Sequence, residues 1–176
     1  MRVAVLGGSF HPPHLGHAMV ASWLLWTHRV EEVWLVPTLH HALDKPLPPI
    51  DVRLRLCELL ANDLGPQVRV DPIEASLPVP SYTLRTLDAL ASRHPGVSFR
   101  LVVGADILTQ TEHWHRWDLI LERYPPILVG RQGHPPVEGA PCFPDISSTD
   151  IRRRLDLGLP VDHLLSHSVA LALEEA

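Results

Sequence analysis

The segment richest in reactive groups is Gly7-Gly8-Ser9-Phe10-His11-Pro12-Pro13-His14-Leu15-Gly16-His17. It lies where a short β-branched run, Val3 to Leu6, gives way to residues of helical period, so it reads as a strand-to-helix turn. Ligands of open parallel sheets bind beyond the carboxyl ends of the strands, and the exposed N–H groups of a following helix favour an anion. The glycines let the main chain approach a ligand closely. His14 and His17, three apart at the helix start, can aim both imidazoles at one spot. The chemistry that suits such a turn is phosphate binding. Other phosphate and nucleophile motifs do not fit: the segment lacks the second glycine of G-x-G-x-x-G and the Gly-Lys-Ser/Thr end of a Walker loop, and His11 stands where a G-x-S-x-G elbow needs glycine. A transition metal on His11, His14 and His17 is a competing reading. Against it, Pro12 and Pro13 keep the three off one helical face, and no carboxylate or thiol stands beside them.

Positioning such a turn is the task of βαβ units. Val3 to Leu6, Glu32 to Val36, Val68 to Val70, Phe99 to Val103 and Ile127 to Val129 read as strands, each ended by a Gly, Pro or Asp. Leu15 to His28, Asp51 to Leu64, Thr83 to Arg93 and the stretch around Trp114 to Glu122 have apolar residues at three- and four-residue spacing and read as the crossover helices. Asp51 and Thr83 are residue types that cap a first turn. Gly130 to Asp145 reads as a loop. It delivers Ser147-Ser148-Thr149, an N-cap cluster, to a helix over Ile151 to Leu157, and Leu164 to Glu174 reads as the last helix. The expected fold is α/β: a Rossmann-like parallel sheet of about five strands with helices on both faces, in one domain over residues 1–176.

Composition agrees. The 176 residues suit one core rather than two, and 45% apolar against 20% charged residues, with mean hydropathy +0.07, excludes long disorder. A net charge of −5 gives no general attraction to nucleic acid or to an anionic membrane. Cys57 and Cys142 form neither a Cys-x-x-Cys pair nor a disulfide framework, and the N-terminal apolar run is too short for a signal peptide core. Both point to the cytoplasm.

Gly8-Ser9-Phe10-x-Pro12-x-His14-x-Gly16-His17 resembles the signature of the cytidylyltransferase-like nucleotidyltransferases. Pro80-Ser81-Tyr82-Thr83, Gly104-Ala105-Asp106 followed by Trp114, and Ile146-Ser147-Ser148-Thr149-x-Ile151-Arg152 look like the nicotinate-nucleotide adenylyltransferase branch, in order and spacing over nearly the whole chain. The resemblance implies transfer of AMP from ATP to nicotinate mononucleotide, giving deamido-NAD and pyrophosphate. It also implies ATP contacts from Gly8, Ser9, Phe10, His14, Gly16, His17, Gly104, Asp106, Ser147, Ser148, Thr149 and Arg152. By the same resemblance His14 and His17 would be the catalytic pair, with imidazoles able to become cationic beside phosphate. Lys45, Ser81, Tyr82, Thr83 and Trp114 would serve the mononucleotide, Trp114 and Tyr82 offering rings to stack on. Mg²⁺ is implied as a partner of the ATP phosphates, with no protein ligands named.

Three departures stand out. His11 occupies a position where the family usually has Asp. The Pro-Pro-His-Lys stretch expected after the second strand is replaced by Pro37-Thr38-Leu39-His40-His41-Ala42-Leu43-Asp44-Lys45, where Lys45 with His40 or His41 could substitute. His115 follows Trp114 where an aromatic ring is common. Nicotinamide mononucleotide is the competing substrate, and a nucleotide binder with little turnover or a metal-dependent hydrolase are the alternatives from other classes.

Overall fold

Alternate residues of the central strands point to opposite sides of a sheet, and here both sides are apolar, so both must be covered. In the computed structural model, which describes residues 1–40, 46–105 and 114–175, the strands are β1 (Arg2–Gly8), β2 (Glu32–Pro37), β3 (Val68–Val70), β4 (Ser98–Gly104), β5 (Ile127–Arg131) and β6 (Cys142–Phe143). They form one parallel sheet in the order β3-β2-β1-β4-β5-β6, with Val5 of β1 opposite both Trp34 of β2 and Leu101 of β4. Ala4, Leu6, Val33, Leu35, Val102 and Val129 face one core. Their neighbours Val3, Val5, Trp34, Val36, Leu101 and Val103 face the other. The helices are α1 (Leu15–Trp26), α2 (Ile50–Leu64), α3 (Thr83–Arg93), α4 (Trp117–Arg123), α5 (Ser148–Asp156) and α6 (His167–Glu174). Buried residues of α1, α2, α5 and α6 complete the first core, and those of α3 and α4 the second.

The expected architecture is found, with corrections. Six strands pair rather than about five, because Cys142 and Phe143, inside the passage that reads as loop, extend the sheet beside Gly130 and Arg131. A two-residue strand has too few positions for alternation to show. Helix α1 stops at Trp26, since the N–H and hydroxyl of Thr27 both turn back to the Trp23 carbonyl and His28 takes a positive φ. Neither Asp51 nor Thr83 caps a helix. Pro49 and Tyr82 hold the N-cap positions of α2 and α3 without side-chain cap bonds, and Asp51 and Thr83 lie inside the first turns. Helix α6 begins at His167 because Asp162–Leu164 forms a separate 3₁₀ turn and Leu165 is extended.

The sequence order of the strands reverses between β1 and β4. In open α/β sheets this switch point is where a crevice forms beyond the strand ends.

Candidate active site

Two clefts open at the switch point, one on each side, and Gly7 of β1 and Val102 of β4 line both. The first is walled by His14, Gly16, His17, Gly104, Arg131, Phe143, Ile146 and Ser147. The second is walled by Gly8, Thr38, Glu74, Ser81, Thr83, Thr86 and Trp114.

The turn after β1 is held by its own backbone and by α5. Phe10, with φ +47°, is driven into the core at 1% exposure, and its ring lies beneath Gly8. His14 is the N-cap of α1. Its Nδ1 accepts from the Gly16 N–H at 3.1 Å, while its own N–H donates to His17 Nδ1 at 3.1 Å. This reciprocal cap uses imidazoles where a hydroxyl and a carboxylate are usual. It brings the two rings to 3.9 Å between centroids and sets His17 against Phe10 at 4.7 Å.

The cap also fixes the tautomers. Each Nδ1 receives a hydrogen bond, so in the neutral ring the proton resides on Nε2, an assignment made from the donors around it. Among the described residues neither Nε2 has a partner, and neither is a buried orphan, so both N–H donors reach the cleft. Burial first, then the charge of Arg131, lowers His14 to about 4; burial, His14 and Arg131 hold His17 well below the usual imidazole range. The ligand-free pair is therefore neutral at pH 7. Burial penalises the charged form, so without phosphate beside them the rings stay uncharged.

His14 titrates near 4 when folded and near 6.5 when unfolded, so between these values the unfolded chain binds more protons. Its contribution is full above about pH 6.5 and lost as pH falls through 4, about 3 kcal/mol in all. His17 acts in the same direction. Urea unfolding from pH 7 to pH 4 should show a clearly shallower loss in His14→Asn than in the unsubstituted chain.

The Ser-Ser-Thr segment meets the turn directly. Ser147 caps α5, accepting from the Asp150 N–H at 3.1 Å, and lines the first cleft. The Ser148 hydroxyl donates to the Pro12 carbonyl at 2.9 Å, and Arg152 Nη1 donates to the His11 carbonyl at 2.6 Å while Nη2 reaches Thr149 Oγ1 at 3.4 Å. Ser148 and Arg152 thus brace the turn, with Thr149 bonded to Arg152, and none of the three is among the residues walling either cleft; nor are Ser9 and Phe10. Gly104 lines the first cleft, and Gly8 the second. Ser81, Thr83 and Trp114 line the second cleft, with Trp114 edge-on to Trp117 at 5.3 Å. Tyr82 is apart from that lining, stacked on His115 at 4.5 Å with the Arg85 guanidinium over it. Asp106, His41 and Lys45 lie outside the described residues. The His40 N–H donates to Ser81 Oγ at 3.3 Å.

Three residues of this region escape sequence reasoning. Arg131, at the end of β5, faces the first cleft and pairs with Asp145 at 3.4 Å. Glu74, 5% exposed, accepts from the Thr86 hydroxyl and from the Leu39 N–H at 3.2 Å. Arg53, 1% exposed, donates among the described residues only to main-chain carbonyls. Arg53 does leave a signal: it is a charge in line with the apolar stripe Leu56, Cys57 and Leu60 of α2.

Residues 5–154 match the family model described as cytidylyltransferase-like. A protein of Anaeromyxobacter sp. (strain K), named "Probable nicotinate-nucleotide adenylyltransferase", is 49% identical over 98% of this chain and 94% of its own length. One of the same name from Myxococcus xanthus is 35% identical over 99% of this chain and 93% of its own. Among solved structures, Plasmodium falciparum nicotinic acid mononucleotide adenylyltransferase complexed with NaAD superposes with TM-score 0.78 at 19% identity, covering 96% of this chain and 92% of that one; it speaks to the fold. A parallel sheet broken at its switch point, a turn capped by its own histidines and relatives alike over almost their whole length lead to one assignment: the chain belongs to the nicotinate-nucleotide adenylyltransferase family of cytidylyltransferase-like nucleotidyltransferases.

Proposed function

We propose that this chain transfers AMP from ATP to nicotinate mononucleotide, giving deamido-NAD and pyrophosphate, the reaction after which its relatives are named. The observation that carries this reading is the pair of clefts meeting at Gly7 and Val102: one is lined by two N–H-donating imidazoles and Arg131, the other by hydroxyls and an indole. ATP would occupy the first and the mononucleotide the second, so that their phosphates meet over Gly7. A phosphate oxygen of the mononucleotide attacks the α-phosphorus of ATP in line, the bond to the bridging oxygen breaks, and pyrophosphate leaves with that electron pair. The nucleophile is already an anion, so the chain supplies no base.

What the chain supplies is position and charge. His14 and His17 donate Nε2–H to phosphate oxygens as neutral groups, and Arg131 adds the fixed positive charge. Ser147 and the N-terminus of α5 face the same phosphates. Ser148 and Arg152, by bonding the carbonyls of Pro12 and His11, keep those carbonyl dipoles turned away from the incoming anion. In the second cleft the Trp114 ring is the stacking surface, and Ser81 and Thr83 are the neutral donors for the pyridine carboxylate. Among the described residues no group of three or more His, Cys, Asp or Glu stands together. A Mg²⁺ carried on phosphate oxygens would, when bound, neutralise charge on the leaving pyrophosphate. We place the reaction in the cytoplasm, where Cys57 and Cys142, both free, would stay reduced; among the described residues no helix is long and apolar enough to cross a membrane.

The test is pyrophosphate release with ATP, Mg²⁺ and a panel of mononucleotides. Nicotinate mononucleotide is expected to turn over, with kcat/KM at least about tenfold above nicotinamide mononucleotide, the order of one lost charge-assisted hydrogen bond. Release with no pyridine mononucleotide would reject the reading.

A further inference from the structure

We propose that Arg53 is a positioning residue of the transfer reaction, holding the phosphate-binding turn at a set distance from the wall of the mononucleotide cleft. The proposal rests on the function argued above. Arg53 is on α2, lines neither cleft and is 1% exposed, yet its guanidinium bonds three separate pieces of chain: Nη1 to the Ser9 carbonyl at 3.1 Å and the Thr38 carbonyl at 2.7 Å, and Nε to the Pro48 carbonyl at 3.0 Å. Ser9 belongs to the turn that carries His14 and His17, and Thr38 to the segment leaving β2. That segment is joined onward to the second cleft. The Thr38 N–H donates to the Gly8 carbonyl at 2.9 Å, the Leu39 N–H donates to Glu74, and the His40 N–H donates to Ser81. Glu74, itself held by the Thr86 hydroxyl, and Ser81 are lining residues of that cleft.

The guanidinium thus ties the loop of one substrate to the loop of the other. An ordinary structural arginine would satisfy itself on one carboxylate or on solvent. This one is buried with a positive charge whose bonds, among the described residues, end on backbone carbonyls of two site loops and the start of α2. A planar fork can serve carbonyls lying in different directions in its plane, whereas an ammonium concentrates its donors at one point. In-line transfer between two bound anions depends steeply on the distance between them, and a displacement near 1 Å can lower the rate about a hundredfold without touching a ligand.

The experiment compares the unsubstituted chain with Arg53→Ala and Arg53→Lys, reading kcat, the Kd of ATP and of nicotinate mononucleotide separately, folded fraction by circular dichroism, and rescue by low millimolar guanidinium. Expected are folded variants whose kcat falls about a hundredfold for alanine and at least about tenfold for lysine. Each single-substrate Kd should stay within about threefold, and added guanidinium should restore Arg53→Ala about tenfold but leave Arg53→Lys unchanged. Folded variants with normal kcat would overturn the proposal. So would losses matching only the unfolded fraction, failure of both variants to fold, or binding losses as large as the loss in kcat. No turnover by the unsubstituted chain would instead remove the reaction itself and the proposal with it.

Discussion

Replacing His17 with alanine is expected to lower kcat by about two to three powers of ten, the effect of losing one preorganised donor worth about 3–4 kcal/mol at the transition state. The substitution removes two things. One is the Nε2–H that reaches the first cleft; the other is the Nδ1 that accepts the His14 N–H at 3.1 Å. The second is a capping contact, whose loss costs about 1 kcal/mol of stability. The two effects separate by measurement: thermal unfolding should report the small stability change, and turnover per folded molecule the large kinetic one. His17→Asn, whose side-chain oxygen can still accept from His14, should recover most of the stability and little of the rate. A rate loss that merely tracks unfolding would assign His17 to structure.

Gly16→Ala is expected to be nearly as damaging although it removes nothing. A Cβ at position 16 would stand 2.9 Å from both Nδ1 and Cε1 of His14, and 3.5 Å from the Ile146 carbonyl. The imidazole cannot swing aside cheaply, because it is 7% exposed and accepts the Gly16 N–H. Moving it breaks the cap of α1, tilts the ring on which His17 rests at 3.9 Å, and releases both donors from their common aim. The expected result is a loss of about 2 kcal/mol in stability, from the cap and the overpacked contact together, and a rate reduction of about a hundredfold. Urea unfolding and steady-state kinetics of the purified variant check both. A variant with normal turnover would show that the His14 position is not set by Gly16.

These two positions show what kind of information a sequence makes legible. Glycine and histidine at a strand-to-helix junction are informative because the geometry they need is local: Gly16, His14 and His17 act within one turn of helix. The core strands are legible for the same reason, since the apolar runs of Val3 to Leu6 and Phe99 to Val103 need no knowledge of partners. What stays hidden is long-range. The Arg53 guanidinium meets Ser9 across 44 positions, and the Leu39 N–H meets Glu74 across 35, so neither pairing leaves a mark in its own neighbourhood beyond a charge on an apolar stripe. Strand β6 is hidden because its identity comes from Gly130 and Arg131 beside it, not from its own two residues. The charge state of the imidazoles is hidden as well. Residue type predicts a group near 6.5, and only packing reveals that desolvation moves it down.

The family resemblance anticipates which segments meet, but not how they divide the work. It implies Ser147-Ser148-Thr149 and Arg152 on the nucleotide, whereas the structure turns Ser148 and Arg152 onto the carbonyls of Pro12 and His11. His11 itself, where a carboxylate is usual, is shifted downward by burial and then by the charges of Arg152 and Arg53, so it too favours a neutral ring. The first cleft therefore has neutral donors beside a single nearby guanidinium, that of Arg131, among the described residues that line it.

Transfer in the first cleft depends most on the two imidazoles being neutral, protonated on Nε2, and directed at phosphate. Long-range ¹H–¹⁵N spectra of the histidine rings at pH 7, recorded without and with α,β-methylene ATP, read all three properties at once. His14 and His17 are both expected to show the neutral Nε2–H pattern, and both Nε2–H signals are expected to move when the analogue binds. Imidazolium or Nδ1–H patterns in the free chain, or Nε2–H signals unmoved by a saturating analogue, would show that these rings do not hold phosphate as neutral donors.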